Sequence, residues 1–151
     1  MVKQTLPKDF KEFLKLLNVY EVEYLLIGGY AVCYYGYPRT TADIDIWIAI
    51  NLKNAQKLKN VFSDFGMVSD EITSDLFQTP GNIVRMGIPP MRIEVLNKID
   101  GAEFSKCYSN RKDIIIDGIP VKLISLSDLR SNKLKSGRYK DLDDLEHLPK
   151  Q

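Results

Sequence analysis

The sequence predicts an α/β or α+β domain, and three observations carry that expectation. Helical and strand periodicities alternate in its first part, two later pairs of short apolar runs read as hairpins, and the end of the chain returns to helix. No repeat, low-complexity tract or linker interrupts this order. One domain over residues 1–151 is therefore expected, with a helical segment at about 7–19, a core at about 20–124 and C-terminal helices at about 125–148.

Residues 7–19 place Phe10, Phe13, Leu14 and Leu17 at helical spacing, with Lys8, Lys11, Glu12 and Lys15 on the other side. "EYLLIGG" is a short apolar strand ending in a double glycine, and "YAVCYYGY" is a short helix stopped by Gly36 and Pro38. Residues 43–50 alternate as a strand. "NLKNAQKLKNVFSDFG" is a helix with Asn51 as N-cap, an apolar stripe of Leu58, Val61, Phe62 and Phe65, and Gly66 at its end. "NIVRMGIPPMRIEVLNKI" reads as two strands joined at Pro89-Pro90, and "DIIIDGIPVKLIS" as a hairpin turning on Asp117-Gly118. From Ser127 the chain is helical again, with a break at Gly137.

A formal net charge of +1 gives no bulk electrostatic pull toward nucleic acid or a membrane surface. Cys33 and Cys107 lack a metal-ligand spacing, and a single histidine, His147, argues against a histidine-based zinc site. Both cysteines are expected to be reduced packing residues. No stretch is long and apolar enough for a signal peptide or a membrane span, so the expected location is the cytoplasm.

The stretch that asks for chemistry is "RTTADIDIWI". Asp is depleted in strands, yet Asp43 and Asp45 occupy one face of this one, while Ile44, Ile46 and Ile48 face the core. Carboxylates two apart on a strand lie roughly 6–7 Å apart and repel. A Mg²⁺ ion, which binds one or two carboxylates together with substrate phosphates, removes that repulsion. A solvated pair at a strand end is the bland alternative. Upstream, Gly28-Gly29 runs from strand directly into helix, where backbone N–H groups can approach a phosphate. It is neither the dinucleotide fingerprint nor a phosphate loop of the Gly-Lys-Ser/Thr kind. Trp47 shares the acidic face and is expected to floor the pocket. Tyr30, Tyr34, Tyr35 and Tyr37 are read as packing rather than base-stacking residues.

Taken together, the apolar strand, Gly28-Gly29, a short helix and Asp43-Ile44-Asp45-Ile46 resemble the signature of the nucleotidyltransferase superfamily related to polymerase beta. More narrowly, "GGYAVCYYGYPRTTADIDIWI" is similar to small nucleotidyltransferase-fold proteins, including toxins of abortive-infection type. The resemblance implies a mixed central β-sheet flanked by helices, with helices at the C-terminus. It implies a third carboxylate on a later strand, supplied by Glu94 in "MRIEVLNKI" where relatives usually carry Asp; pairing of Glu94 with Arg85 or Arg92 is the alternative. Asp100 and Asp117, both at turns, are weaker candidates. The matching tail positions are Lys133, Gly137, Arg138, Lys140, Asp141 and Asp144. By this resemblance Asp43, Asp45 and Glu94 are the catalytic and metal-binding set, and Gly28, Gly29, Arg39, Thr41, Lys133 and Lys140 bind nucleotide and phosphate. Lys and Arg would complete the clamp on a triphosphate. The alternative for Arg39 is a pairing with Asp43, and Arg138–Asp141 and Lys140–Asp144 could be ion pairs on a solvated helix face.

The implied activity is transfer of an NMP from an NTP to a hydroxyl acceptor with release of pyrophosphate, with Mg²⁺ or Mn²⁺ in a two-metal arrangement. Glu94 is the expected base, and no histidine is required. The acceptor is left open among tRNA, protein and small molecule, as are a homo-oligomer and a small helical partner protein. The competing reading is a non-catalytic nucleotide-binding or toxin–antitoxin component. A magnesium-dependent nuclease fits less well, because Lys98 lies too far beyond Glu94 for an Asp-x-Glu-x-Lys pattern.

Overall fold

The computed structural model describes residues 5–88 and 91–150. In chain order the elements are α1 (Lys8–Val19), β1 (Tyr24–Ile27), α2 (Gly28–Tyr34), β2 (Asp43–Ile48), α3 (Leu52–Asp64), α4 (Ser74–Gln78), β3 (Ile83–Met86), β4 (Arg92–Leu96), α5 (Phe104–Ser109), β5 (Lys112–Ile116), β6 (Ile119–Leu123), α6 (Leu126–Ser136) and α7 (Tyr139–His147).

The strands form one six-stranded mixed sheet in the order β3-β4-β2-β1-β6-β5. β1 runs antiparallel to β2 and parallel to β6, and β2 runs parallel to β4; β3–β4 and β5–β6 are antiparallel pairs. This is the expected α/β architecture. Both predicted hairpins form. The second turns on Asp117 (φ 50°) and Gly118 (φ 78°), the positive-φ pair that a two-residue turn of type I′ requires. The Pro89-Pro90 junction of the first lies outside the described residues. Among the described residues no helix is long and apolar enough to cross a membrane.

The core follows from the predicted stripes. Phe10, Phe13, Leu14 and Leu17 of α1 are buried with Leu58, Val61 and Phe62 of α3, and Phe13 meets Phe62 edge-on at 5.6 Å between ring centroids. Ile44, Ile46 and Ile48 join the same cluster. Asn51 caps α3 as expected, its side chain accepting the Asn54 N–H. Asn54 is itself buried: it accepts from the Glu23 N–H (2.8 Å) and donates to the carbonyls of Glu23 (3.1 Å) and Ala49 (3.0 Å). That side chain locks α3 to the chain on either side of the β1–β2 pair. The helices α4 and α5 go beyond the elements that the sequence predicts. Each is too short to display a helical stripe.

Trp47 does not floor the acidic pocket. It is 1% exposed, packs edge-on against Phe104 of α5 at 5.1 Å, and lies in the core. The tyrosines are packing residues, as expected. Tyr30 meets Phe10 edge-on, Tyr35 donates to the Ile124 carbonyl (2.6 Å), and Tyr37 stacks on His147.

Candidate active site

The sheet register brings the acidic residues together. In the parallel β2–β4 pair, Asp43 stands opposite Arg92 and Asp45 opposite Glu94. In the antiparallel β3–β4 pair, Arg85 also stands opposite Glu94. Alternation places Asp43, Asp45, Arg92 and Glu94 on one face of adjacent strands, while Ile44, Ile46, Ile93 and Val95 are buried on the other.

Gly28 backs this cluster. It opens α2 at φ +69°, and a Cβ added there would lie 2.9 Å from Asp45 Cγ and overlap the carboxylate. Both the backbone angle and the close approach therefore require glycine. Gly29 is crowded in a different way. A Cβ there would lie 2.8 Å from Thr41 Cβ and 3.4 Å from an Arg39 guanidinium nitrogen. Thr41 donates its hydroxyl to the Asp43 carbonyl (3.2 Å), fixing the entry to the acidic strand.

Burial, a hydrogen bond shared with Glu94, and the charges of Glu94 and Asp43 push the Asp45 carboxyl up to about 7, against a smaller opposing pull from Lys133. A cation placed among these carboxylates would relieve the same crowding of negative charge. The guanidinium of Arg92 lies 3.0 Å from Asp43 Oδ2 and 3.4 Å from Glu94 Oε1, and Arg85 Nε is 3.0 Å from the same Glu94 oxygen. Both arginine pairings foreseen for Glu94 therefore exist, and Glu94 still faces Asp45.

Among the described residues no group of three or more His, Cys, Asp or Glu side chains is arranged to hold a metal ion unaided. The donors nevertheless fit a hard divalent ion shared with a polyphosphate. They are all carboxylate oxygens, they crowd one another, and Gly28 leaves room for the Asp45 carboxylate among them. Mg²⁺ characteristically takes one or two carboxylates plus substrate phosphates rather than a cage built wholly of protein.

A cleft of about 580 Å³ opens over these residues, a volume in the range of small-molecule sites. Gly28, Gly29, Asp43, Asp45 and Glu94 line it. Arg85, Lys98 and Asp100 contribute from one group of elements, and Lys133, Arg138 and Lys140 from the C-terminal helices. Asp100, read from sequence as a weak candidate, is thus on the cleft wall. Asp117 sits in its hairpin turn, where it accepts the Leu6 N–H and meets Lys11 at 3.5 Å.

The C-terminal helices are held by a buried ionic network. Ser125 caps α6 by accepting the Asp128 N–H (3.1 Å), and Gly137 ends it in the left-handed region at φ 65°. Lys133, 6% exposed, lies 2.9 Å from Asp141 and 3.0 Å from Asp144. Arg39 does not pair with Asp43. It grips Asp144 through Nε (2.8 Å) and Nη2 (3.1 Å). Arg138 meets Asp141 at 2.8 Å, as the ion-pair reading anticipated, and Ser136 also donates to Asp141. The expected Lys140–Asp144 pair is replaced, because Arg39 and Lys133 already occupy Asp144; Lys140 is exposed at the cleft. Burial works against the charge on Asp141, but hydrogen bonds from Ser136, Lys133 and Arg138 outweigh it and hold the carboxyl down at about 2. The ammonium of Lys133 donates a hydrogen bond to Asp141 and is ion-paired with Asp144 beside the cleft.

Solved structures share this architecture. The protein TM1012 from Thermotoga maritima superposes with a TM-score of 0.63 at 17% identity, over 91% of this chain and 88% of that one. An antigenic nucleotidyltransferase-like protein from Paracoccidioides brasiliensis gives 0.54 at 20% identity, over 94% and 76%. The lincosamide antibiotic adenylyltransferase LnuA, with lincomycin bound, gives 0.54 at 16% identity, over 96% and 97%. A search of curated proteins finds no match. The sequence matches, over residues 7–151, the family described as nucleotidyl transferase of unknown function (DUF2204). With the match covering nearly the whole chain, the protein belongs to that nucleotidyl transferase family.

Proposed function

We propose that this chain transfers a nucleoside monophosphate from an NTP to a hydroxyl acceptor and releases pyrophosphate. The observation that carries the reading is the meeting of Asp43, Asp45 and Glu94 on adjacent parallel strands, backed by a glycine that the Asp45 carboxylate requires. Asp43 and Asp45 would hold Mg²⁺ or Mn²⁺. That ion would neutralise charge on the triphosphate as the phosphoryl bond is exchanged.

The chain's own residues do the rest. Gly28 and Gly29 let backbone N–H groups come close to the phosphates. Lys133 and Lys140 carry positive charge to the triphosphate from the other side of the cleft, and Arg39 and Thr41 support the segment between Gly29 and Asp43. Glu94 accepts the proton of the acceptor hydroxyl. The acceptor oxygen forms a bond to the α-phosphorus as the bond from that phosphorus to the pyrophosphate oxygen breaks, and the Glu94 proton passes to solvent. A small-molecule acceptor suits the cleft volume; tRNA and protein acceptors would have to present a single hydroxyl into it.

One observation favours a second reading. Arg85 and Arg92 both pair with Glu94, offsetting the negative charge that a base would need. A nucleotide-binding component without turnover, working through a protein partner as in a toxin–antitoxin pair, is consistent with that. The deciding experiment measures thermal shifts for wild type and Asp45→Asn with each of four NTPs, with and without Mg²⁺ or Mn²⁺, followed by pyrophosphate release against a panel of acceptors. A shift needing both metal and NTP and lost in Asp45→Asn, together with pyrophosphate release, supports transfer. The same shift without pyrophosphate supports the second reading, and no shift with any NTP overturns both.

A further inference from the structure

Arg92 occupies a position that a two-ion site would need. It lies opposite Asp43 in the β2–β4 register and two residues before Glu94 on the same face. Its Nη2 atom touches one oxygen from each, Asp43 Oδ2 at 3.0 Å and Glu94 Oε1 at 3.4 Å. Mg²⁺ binds oxygen at about 2.0–2.1 Å. An ion joining these two oxygens would therefore have to displace the guanidinium or sit against its positive charge. Arg85 engages the same Glu94 oxygen from the third strand. Three carboxylates thus face two guanidiniums, leaving one net negative charge with all three ionised, a poor host for two divalent cations.

Asp43 and Asp45 are placed differently. Arg92 takes only Oδ2 of Asp43, and Asp45 is partnered by Glu94 rather than by an arginine. Among the described residues no arginine forms an ion pair with Asp45, whereas Arg92 bridges Asp43 and Glu94. Among the described residues Arg92 Nε is buried without a hydrogen-bond partner, so the guanidinium is positioned chiefly by these two carboxylates. Its charge does not depend on pH in the working range.

We infer that Arg92 is a resident cation of the acidic site, standing between Asp43 and Glu94 in place of a second divalent ion, so that nucleotide loads with one metal ion per chain. The inference rests on the nucleotidyl-transfer reading. It makes Arg92 a positioning residue: it orients Asp43 toward the one ion and keeps a fixed positive charge beside Glu94, where the acceptor oxygen must approach.

The test is a Mn²⁺ titration of the full chain followed by the electron paramagnetic resonance signal of free Mn²⁺. It is run with the α,β-methylene analogues of the four NTPs, which cannot transfer. Wild type is expected to bind one Mn²⁺ with analogue. Arg92→Met, and Arg92→Gln as a second neutral variant, are expected to bind two, and Arg92→Lys to stay at one. Circular dichroism establishes which variants fold. Two ions in wild type would overturn the inference and leave nucleotidyl transfer standing. One ion in both wild type and a folded neutral variant would overturn it as well, since the guanidinium would not be what limits the count. Wild type that binds neither Mn²⁺ nor any analogue overturns the nucleotidyl-transfer reading, and this inference with it.

Discussion

The Asp45 carboxylate rests on the bare Cα of Gly28, so closely that a Cβ there would stand 2.9 Å from Asp45 Cγ. Gly28→Ala is expected to push the carboxylate out of line with Glu94. It also places a side chain at φ +69°, which costs about 1–2 kcal/mol. The variant should fold with a melting temperature lower by roughly 2–8 °C and lose metal-dependent nucleotide binding altogether. Thermal melts with and without NTP and Mg²⁺ check both halves.

Asp45→Asn separates chemistry from structure. Burial and two neighbouring carboxylates disfavour the charge at Asp45, so removing it should leave the metal-free protein at least as stable as wild type near neutral pH. Binding that needs metal and nucleotide should vanish. Chemical denaturation at neutral pH is the measurement, and a clear loss of stability would make Asp45 a structural residue.

Lys133 and Lys140 both line the cleft, and they should respond differently to mutation. Lys133→Met leaves Asp141 and Asp144 buried with less compensation and should cost about 3–5 kcal/mol, as expected when one partner of a buried pair is removed. Lys140→Ala, at an exposed position, should change stability by less than about 0.5 kcal/mol while weakening NTP binding. Urea melts and nucleotide titrations of the two variants separate these outcomes.

Asp141 gives a pH dependence with a definite sign. Its carboxyl is held down at about 2 in the folded protein against a reference value of 3.8, so the unfolded chain binds the proton more readily. The associated stability, about 2 kcal/mol, is fully present above pH ~4 and is lost as pH falls from about 4 to about 2. The stability gap between wild type and Asp141→Asn should therefore narrow by about that amount between pH 5 and pH 2. Denaturation series at the two pH values check it.

The elements were legible where periodicity is long or turn chemistry is specific. Four core residues at helical spacing gave α1, and Asp117-Gly118 gave the second hairpin. The five-residue α4 leaves no stripe to read; it is held by Asn97, a buried side chain that donates to the Phe77 and Thr79 carbonyls and accepts the Gly81 N–H. Asp43 and Asp45 stood out because they break the rule for strand composition. Glu94 stood out for the same reason. Their neighbours could not be read in the same way, because Arg92 reaches Asp43 through a parallel register between strands 49 residues apart. The partner of Arg39 depended on where α7 docks, and local spacing pointed to Asp43 instead.

The contact between Arg39 and Asp144 spans 105 residues. During synthesis the loop that carries Arg39 exists before its anchor is made. At about 5–20 residues per second the interval is roughly 5–20 s. A nascent chain therefore holds the acidic strand long before the brace that sets the preceding loop. The finished cleft is a late product of translation, and a message truncated upstream of Asp144 would yield the carboxylates without the geometry that orders their surroundings.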